Sequence, residues 1–274
     1  MTESFRSKKP ERFHRHEPKA FRPERVKVSE GFVSDQGETM SGGSYGNVML
    51  HPVHIKARGF NKSIEADMAV KKYHGHHSGS PEDDAKRAFA HYIQAAKAGL
   101  AVLPDFWLIE NKAAVAMTDW SEGGKYVAFS GNERGDILKV LKDEVVEKVI
   151  NMAELVKNVF DQAELATLKK IHVPEDAYMF RFVRGSSFVD IDVAVVDVDF
   201  VASSSNPYEV LRQQNYKAAE IALKNALVKF PVMKVSQERT EEELDEQGRR
   251  YYEINQELKT HIEPYMAKGV GDRG

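Results

Sequence analysis

The sequence predicts an α+β fold: an N-terminal antiparallel sheet with one helix, followed by a mainly helical half. Three observations predict it. Short β-type runs separated by glycine and polar turn residues fill positions 27–73, one amphipathic helical pattern follows over 81–100, and a long apolar helical stretch over 136–170 opens a second half. A chain of 274 residues, 42% hydrophobic and 30% charged, has the length for one sizeable core or for two lobes sharing a cleft.

The elements follow in order. Residues 1–25 are poor in aliphatics and punctuated by Pro10, Pro18 and Pro23, so they read as a flexible arm. Its bases, from Arg6, Lys8 and Lys9 to Arg22 and Arg25, outnumber its acids. Three strands are then expected, in VKVSEGFV, YGNVMLHPVHIKA and ADMAVKKY. Pro81 with Glu82, Asp83 and Asp84 starts a helix, Ala85, Phe89, Tyr92, Ile93 and Ala96 give it one apolar face, and Gly99 ends it. LAVLPDFWLIEN and KAAVAMTDW read as a strand pair. One long buried helix, or two, is expected over 136–170, then a hairpin of AYMFRFV and FVDIDVAVVDVDFV about Arg184-Gly185-Ser186-Ser187, then helix over 207–230. The last helix, 241–265, repeats Leu244, Tyr251, Leu258 and Tyr265 at heptad spacing, a seam for packing on its own chain first and for a protein partner second.

Composition narrows the function. With no cysteine there are no disulfides, thiolate zinc sites or cysteine nucleophiles, and a cytoplasmic location is the default. The start lacks an apolar signal region, and no run approaches the roughly 20 residues of a membrane span. A net charge of -3 speaks against a wholly basic nucleic-acid binder; the basic arm keeps that only as a third reading.

Three motifs carry chemistry. Ser41-Gly42-Gly43-Ser44-Tyr45-Gly46-Asn47-Val48 lies between two strands, where glycines let backbone N–H groups approach a polyphosphate. Met68-Ala69-Val70-Lys71 puts an ammonium on a strand, facing inward if Ala69 and Tyr73 share its face; Lys72 then faces the other way. Val195-Val196-Asp197-Val198-Asp199-Phe200 ends an apolar strand in two carboxylates, hard oxygen ligands suited to Mg²⁺. Asp190 and Asp192 extend the alternation, and without cations such a row of acids repels itself.

In this order the motifs resemble the protein-kinase-like superfamily, in particular its aminoglycoside and choline phosphotransferase branch, over 26–208. The first motif resembles the kinase glycine loop, with Ser41 in place of the first glycine; the second resembles Val-Ala-Ile-Lys; the third resembles Asp-Phe-Gly and the Ile-Asp-x-Asp/Glu variant. The resemblance implies a bilobal fold, with an N-terminal nucleotide-binding lobe over 26–121, a C-terminal lobe over 122–235 and a charged helix and tail over 236–274. It implies that Gly43, Tyr45, Gly46, Val48 and Lys71 hold ATP and that Asp197 and Asp199 hold Mg²⁺.

The catalytic loop departs from the motif His-Arg-Asp-(x)4-Asn. If His172 matches its histidine, Pro174 takes the aspartate's place and Asp176 is a displaced substitute; if Pro174-Glu175-Asp176 matches Pro-Glu-Asn, Asp176 replaces a metal-binding asparagine. Asp176 is the expected catalytic residue in either case, orienting an acceptor hydroxyl. The glutamate that pairs with the kinase lysine has no evident counterpart in mid-helix; Asp83 and Asp84 at the helix start are candidates, and the partner of Lys71 stays open. The expected function is ATP- and Mg²⁺-dependent phosphoryl transfer to a hydroxyl, on a small molecule since no Ala-Pro-Glu segment follows Phe200. The alternative is a pseudokinase acting as a regulatory or interaction module.

Overall fold

Four strands, not three, precede the first helix. The computed structural model describes residues 29–33, 38–42, 46–57, 63–75, 79–103, 105–109, 113–121, 127–130, 148–149, 151–184, 188–198, 201–227 and 246–269, so the arm over 1–25 lies outside the described residues. The four strands are β1 (Ser29–Val33), β2 (Glu38–Gly42), β3 (Gly46–Ala57) and β4 (Ser63–Tyr73). β2, Glu-Thr-Met-Ser-Gly, is too polar to show a strand pattern; pairing with β3, from Glu38↔Leu50 to Gly42↔Asn47, defines it. β3 divides that edge between two neighbours, β2 along its first half and β1 from Val53 to Ala57.

Helix α1 (Pro81–Ala98) and strands β5 (Phe106–Ile109) and β6 (Ala114–Thr118) fall where the sequence puts them. Ser80 caps α1 by accepting the Asp83 N–H at 3.3 Å, Pro81 opens its first turn, and Gly99 closes it at a φ of +89°, a left-handed conformation that favours glycine. The sheet order is β1-β5-β6-β4-β3-β2, and β1 also pairs with β3, so β3, β4, β6, β5 and β1 close into a ring. One face of its central strands gathers Met68, Val70, Ile109, Ala114 and Ala116; the other carries Tyr73, Phe106, Leu108 and Val115 under Ala85, Ala88, Phe89 and Tyr92 of α1.

Of the helical stretch expected over 136–170 as one helix or two, the structure describes residues 148–149 and 151–170. β7 (Val127–Ser130) and β8 (Lys148–Val149) come first, and α2 spans Met152–Leu168; residues 131–147 lie outside the described residues. Lys148 and Val149 are extended because they pair in parallel with Phe188 and Val189 of β11 (Phe188–Val195). Asn151, at the start of α2, is tied to β11: its amide donates to the Ile191 carbonyl at 2.8 Å and accepts the Ile191 N–H at 3.0 Å. After α2 come β9 (Ile171–His172), a 3-10 turn (Glu175–Ala177), β10 (Tyr178–Arg184) and β11, then β12 (Ala202–Ser203), α3 (Tyr208–Leu227) and α4 (Glu246–Gly269). The strands order as β7-β10-β11-β8, with β9 and β12 paired separately. The whole is a mixed α+β fold.

The largest core joins α2, α3, α4 and the β10–β11 hairpin around Leu155, Phe160, Phe180, Ile191 and Leu223. The terminal helix packs here, on its own chain. Its buried stripe is Ile254, Leu258 and Ile262, with Tyr265 stacked on Phe160 at 4.6 Å, so Leu258 and Tyr265 of the expected seam both face the core. Leu244 and the side chain of Tyr251 lie outside the described residues. Glu164 of α2 ties the three helices together: it accepts from Tyr208, Tyr216 and Arg212 of α3 at 2.7, 2.8 and 3.0 Å, and Arg212 also donates to the Lys268 carbonyl of α4.

Candidate functional site

β4 is paired along both edges, with β3 and β6, so alternation decides which face of the sheet each lysine takes. Ala69, Lys71 and Tyr73 share the face turned toward α1, opposite Val48 of β3 and Val115 of β6 at the level of Lys71. The Lys71 side chain keeps 12% of its exposure. A lysine so placed needs an anion, and its ammonium also lies 5.5 Å from the Tyr73 ring centre.

The anion comes from the far end of the second half. β11 stops at Val195, whose N–H goes to the Ala101 carbonyl at 2.8 Å, and the Val196 N–H goes to the Ala177 carbonyl at 2.9 Å. Val196 packs with Leu103 and Ala194, whereas Val198 is buried among the α1 and β6 side chains. With both flanking valines anchored in separate clusters, Asp197 is held between them, and its Oδ1 accepts from Lys71 Nζ at 3.1 Å. His91 of α1 meets the Val198 carbonyl at 3.1 Å, which links the helix to the same segment.

The sequence left the partner of Lys71 open, with Asp83 or Asp84 as candidates; the structure puts Asp197 on it. Asp84 is buried at 1% exposure and takes Arg87 at 3.1 Å, while Asp83 sits in the exposed first turn with Lys86. The acidic row on β11 also has cationic company, since Arg181 on the facing strand donates to Asp192 at 2.8 Å and lies over the Trp120 ring. Gly46 and Val48 open β3; Gly43, Tyr45 and Asp199 lie outside the described residues.

No known protein family matches this sequence, and no curated protein matches it. Among solved structures, the Helicobacter pylori proinflammatory kinase CtkA is similar at 11% identity and a TM-score of 0.38, with 90% of this chain and 99% of that chain covered. A likeness that shallow carries no weight of its own. The chemistry is argued from the residues.

The loop with Asp176 is short. β9 ends at His172 and the 3-10 turn begins at Glu175, so only Val173 and Pro174 lie between them. Asp176 Oδ1 is buried in this loop. Burial lowers the His172 pKa from its ordinary 6.5, against the raising pull of the Glu175 and Asp176 carboxylates.

Two sets of residues escape the sequence reading. Asn215 of α3, fully buried, accepts the Val173 N–H at 3.0 Å and donates to Thr167 Oγ1 at 3.0 Å and the Ile171 carbonyl at 2.9 Å, fixing the backbone that leads into the loop. Its signal was one amide on the apolar stripe of Leu211, Ala218, Ala219 and Ala222. The second set is the apolar group of Leu103, Ala194 and Val196 with Met117, Trp120 and Met179 packed on it, where the end of β6 meets the β10–β11 hairpin. Its members come from four places in the chain and share no motif.

A part-buried cation bonded to a half-exposed carboxylate is a pair that a polyphosphate and a divalent cation can open. Among the described residues no group of three or more His, Asp and Glu side chains gathers as a metal site.

Proposed function

We propose that this chain is a two-lobed, protein-kinase-like nucleotide-binding protein that uses ATP and Mg²⁺ to phosphorylate a hydroxyl group on a small molecule. The observation that carries the reading is the 3.1 Å contact between Lys71 and Asp197, contributed by two motifs 126 residues apart. In this reading Lys71 orients the α and β phosphates, the glycine turn with Gly43, Tyr45, Gly46 and Val48 covers them, and the Met117, Trp120 and Met179 surface receives the base.

Asp197, with Asp199, would hold the metal, which supplies charge neutralisation on the phosphates. Asp176 accepts the hydroxyl proton; the acceptor oxygen bonds to the γ-phosphorus as the bond to the bridging oxygen breaks, its electron pair leaving on ADP. The full chain incubated with ATP, Mg²⁺ and a broad set of small hydroxyl compounds is expected to form ADP only with an acceptor, and Asp176→Asn to slow it by about 100-fold.

A second reading draws on the shortened loop between His172 and Glu175. A pseudokinase would be stabilised by ATP with Mg²⁺ yet release no ADP with any acceptor.

A further inference from the structure

Asp197 sits in the middle of a three-residue turn, in which the Val198 N–H donates back to the Val196 carbonyl at 3.0 Å. Before the turn, the Val196 N–H is anchored on the Ala177 carbonyl at 2.9 Å. After it, Val198 is held in two ways. Its side chain is buried in the cluster of Tyr73, Phe89, Tyr92 and Val115 between α1 and the sheet. Its carbonyl accepts twice, from the Val201 N–H at 3.2 Å and from His91 of α1 at 3.1 Å. A carbonyl oxygen only accepts, so His91 is the donor and its Nδ1 carries the proton. Burial of the side chain sets where Val198 lies; the bonds to its carbonyl set how its backbone is turned.

We infer that His91 is a positioning residue, which by holding the Val198 carbonyl fixes the turn that aims the Asp197 carboxylate at Lys71. The inference rests on the proposed nucleotide site and adds the residue through which α1 acts on it. A protein kinase couples its helix to the site by a glutamate paired with the strand lysine. The acids of α1, Glu82, Asp83 and Asp84, all lie in its first turn, and Asp84 is taken by Arg87 at 3.1 Å. His91 stands in the middle of the helix, and its bond reaches the residue next to Asp197. The helix is thus joined to the carboxylate's own backbone rather than to the lysine. One turn along, Gln94 donates to Ser203 Oγ at the exposed end of the same segment, a second tie that lies farther from Asp197.

Three variants of the full chain test it: His91→Leu removes the donor, His91→Asn places an amide N–H near the position of Nδ1, and Gln94→Ala releases only the bond to Ser203. In calorimetric titration with ATP and Mg²⁺, His91→Leu is expected to bind at least about fivefold more weakly than the wild type, and the other two variants to stay within about twofold of it. A second measurement needs no nucleotide. In urea unfolding, Asp197→Asn is expected to lower the folding equilibrium constant by a factor at least about threefold smaller in the His91→Leu background than in the wild type, because a carboxylate no longer aimed at Lys71 has less to lose. A histidine that merely docked the helix would give the same factor in both backgrounds. Should His91→Leu fail to fold, His91→Phe takes its place. Equal factors, unchanged ATP binding in the variant without a donor, no recovery in His91→Asn, or an equal loss in Gln94→Ala overturns the inference. A wild type that binds no ATP removes the nucleotide reading, and the unfolding cycle alone then decides whether His91 positions Asp197.

Discussion

Lys71 on β4 and Asp197 just beyond β11, 126 residues apart in sequence, meet at 3.1 Å. Each is placed by burial on either side of it: Val70 and Tyr73 fix the strand that carries the lysine, and Val196 and Val198 fix the segment that carries the acid. The backbone ties from Val195 to Ala101 and from Val196 to Ala177 hold that segment against both the sheet half and the Asp176 loop.

The first prediction concerns the pair itself. Removing one partner leaves the other charge part-buried, so Lys71→Met or Asp197→Asn alone is expected to cost about 1 to 3 kcal/mol of stability. The double variant is expected to cost less than the two singles added, by about 1 kcal/mol. Urea unfolding of all four proteins completes the cycle; additive losses would show that the two groups do not interact in solution.

The Asn215 anchor gives the second. Asn215→Leu leaves the Val173 N–H and the Ile171 carbonyl buried without the amide that satisfies them. The expected loss is about 2 to 4 kcal/mol by the same unfolding measurement. Asn215→Asp keeps the acceptor for Val173 but turns a buried carboxylate oxygen on the Ile171 carbonyl, and is expected to lose at least as much as Asn215→Leu.

How much of this was legible in the sequence depends on what specifies each part. The α1 boundaries were readable because Ser80, Pro81 and Gly99 act locally, through a cap, a fixed φ and a left-handed turn. Lys71 and Asp197 were readable as candidates because strand alternation and motif order are one-dimensional properties. β2 and β8 were not, since their residues are extended only by pairing with strands elsewhere in the chain. The partner of Lys71 stayed open for the same reason: which carboxylate arrives depends on how the second half packs, and Asp197 comes from there.

A third prediction follows from His172. Its pKa in the folded chain lies below the ordinary 6.5, chiefly through burial, so the unfolded chain takes up the proton first as pH falls. This contribution to stability is complete above about pH 6.5 and is lost progressively as pH falls through the folded-state value. His172→Gln is expected to flatten that part of a stability-against-pH curve; an unchanged slope between the two proteins contradicts it.

Glu164 acts further down the scale. Burial opposes its charge, but hydrogen bonds from Tyr208, Tyr216 and Arg212 outweigh that and hold its carboxyl below the ordinary 4.5. Its stabilising effect is present above pH 4.5 and disappears as pH falls through the lowered value. Thermal melts of wild type and Glu164→Gln are expected to differ most near neutral pH and to converge in acid, with the loss appearing where α2, α3 and α4 meet.

The claim on which the account turns is that Lys71 and Asp197 form a nucleotide site. Calorimetric titration of ATP with Mg²⁺ into the full chain and into the Lys71→Met and Asp197→Asn variants tests it most directly. The account predicts saturable binding to the wild type that weakens by at least about tenfold in each variant, equivalent to about 1.4 kcal/mol. Equal affinity in all three proteins, or no binding to the wild type, would contradict it.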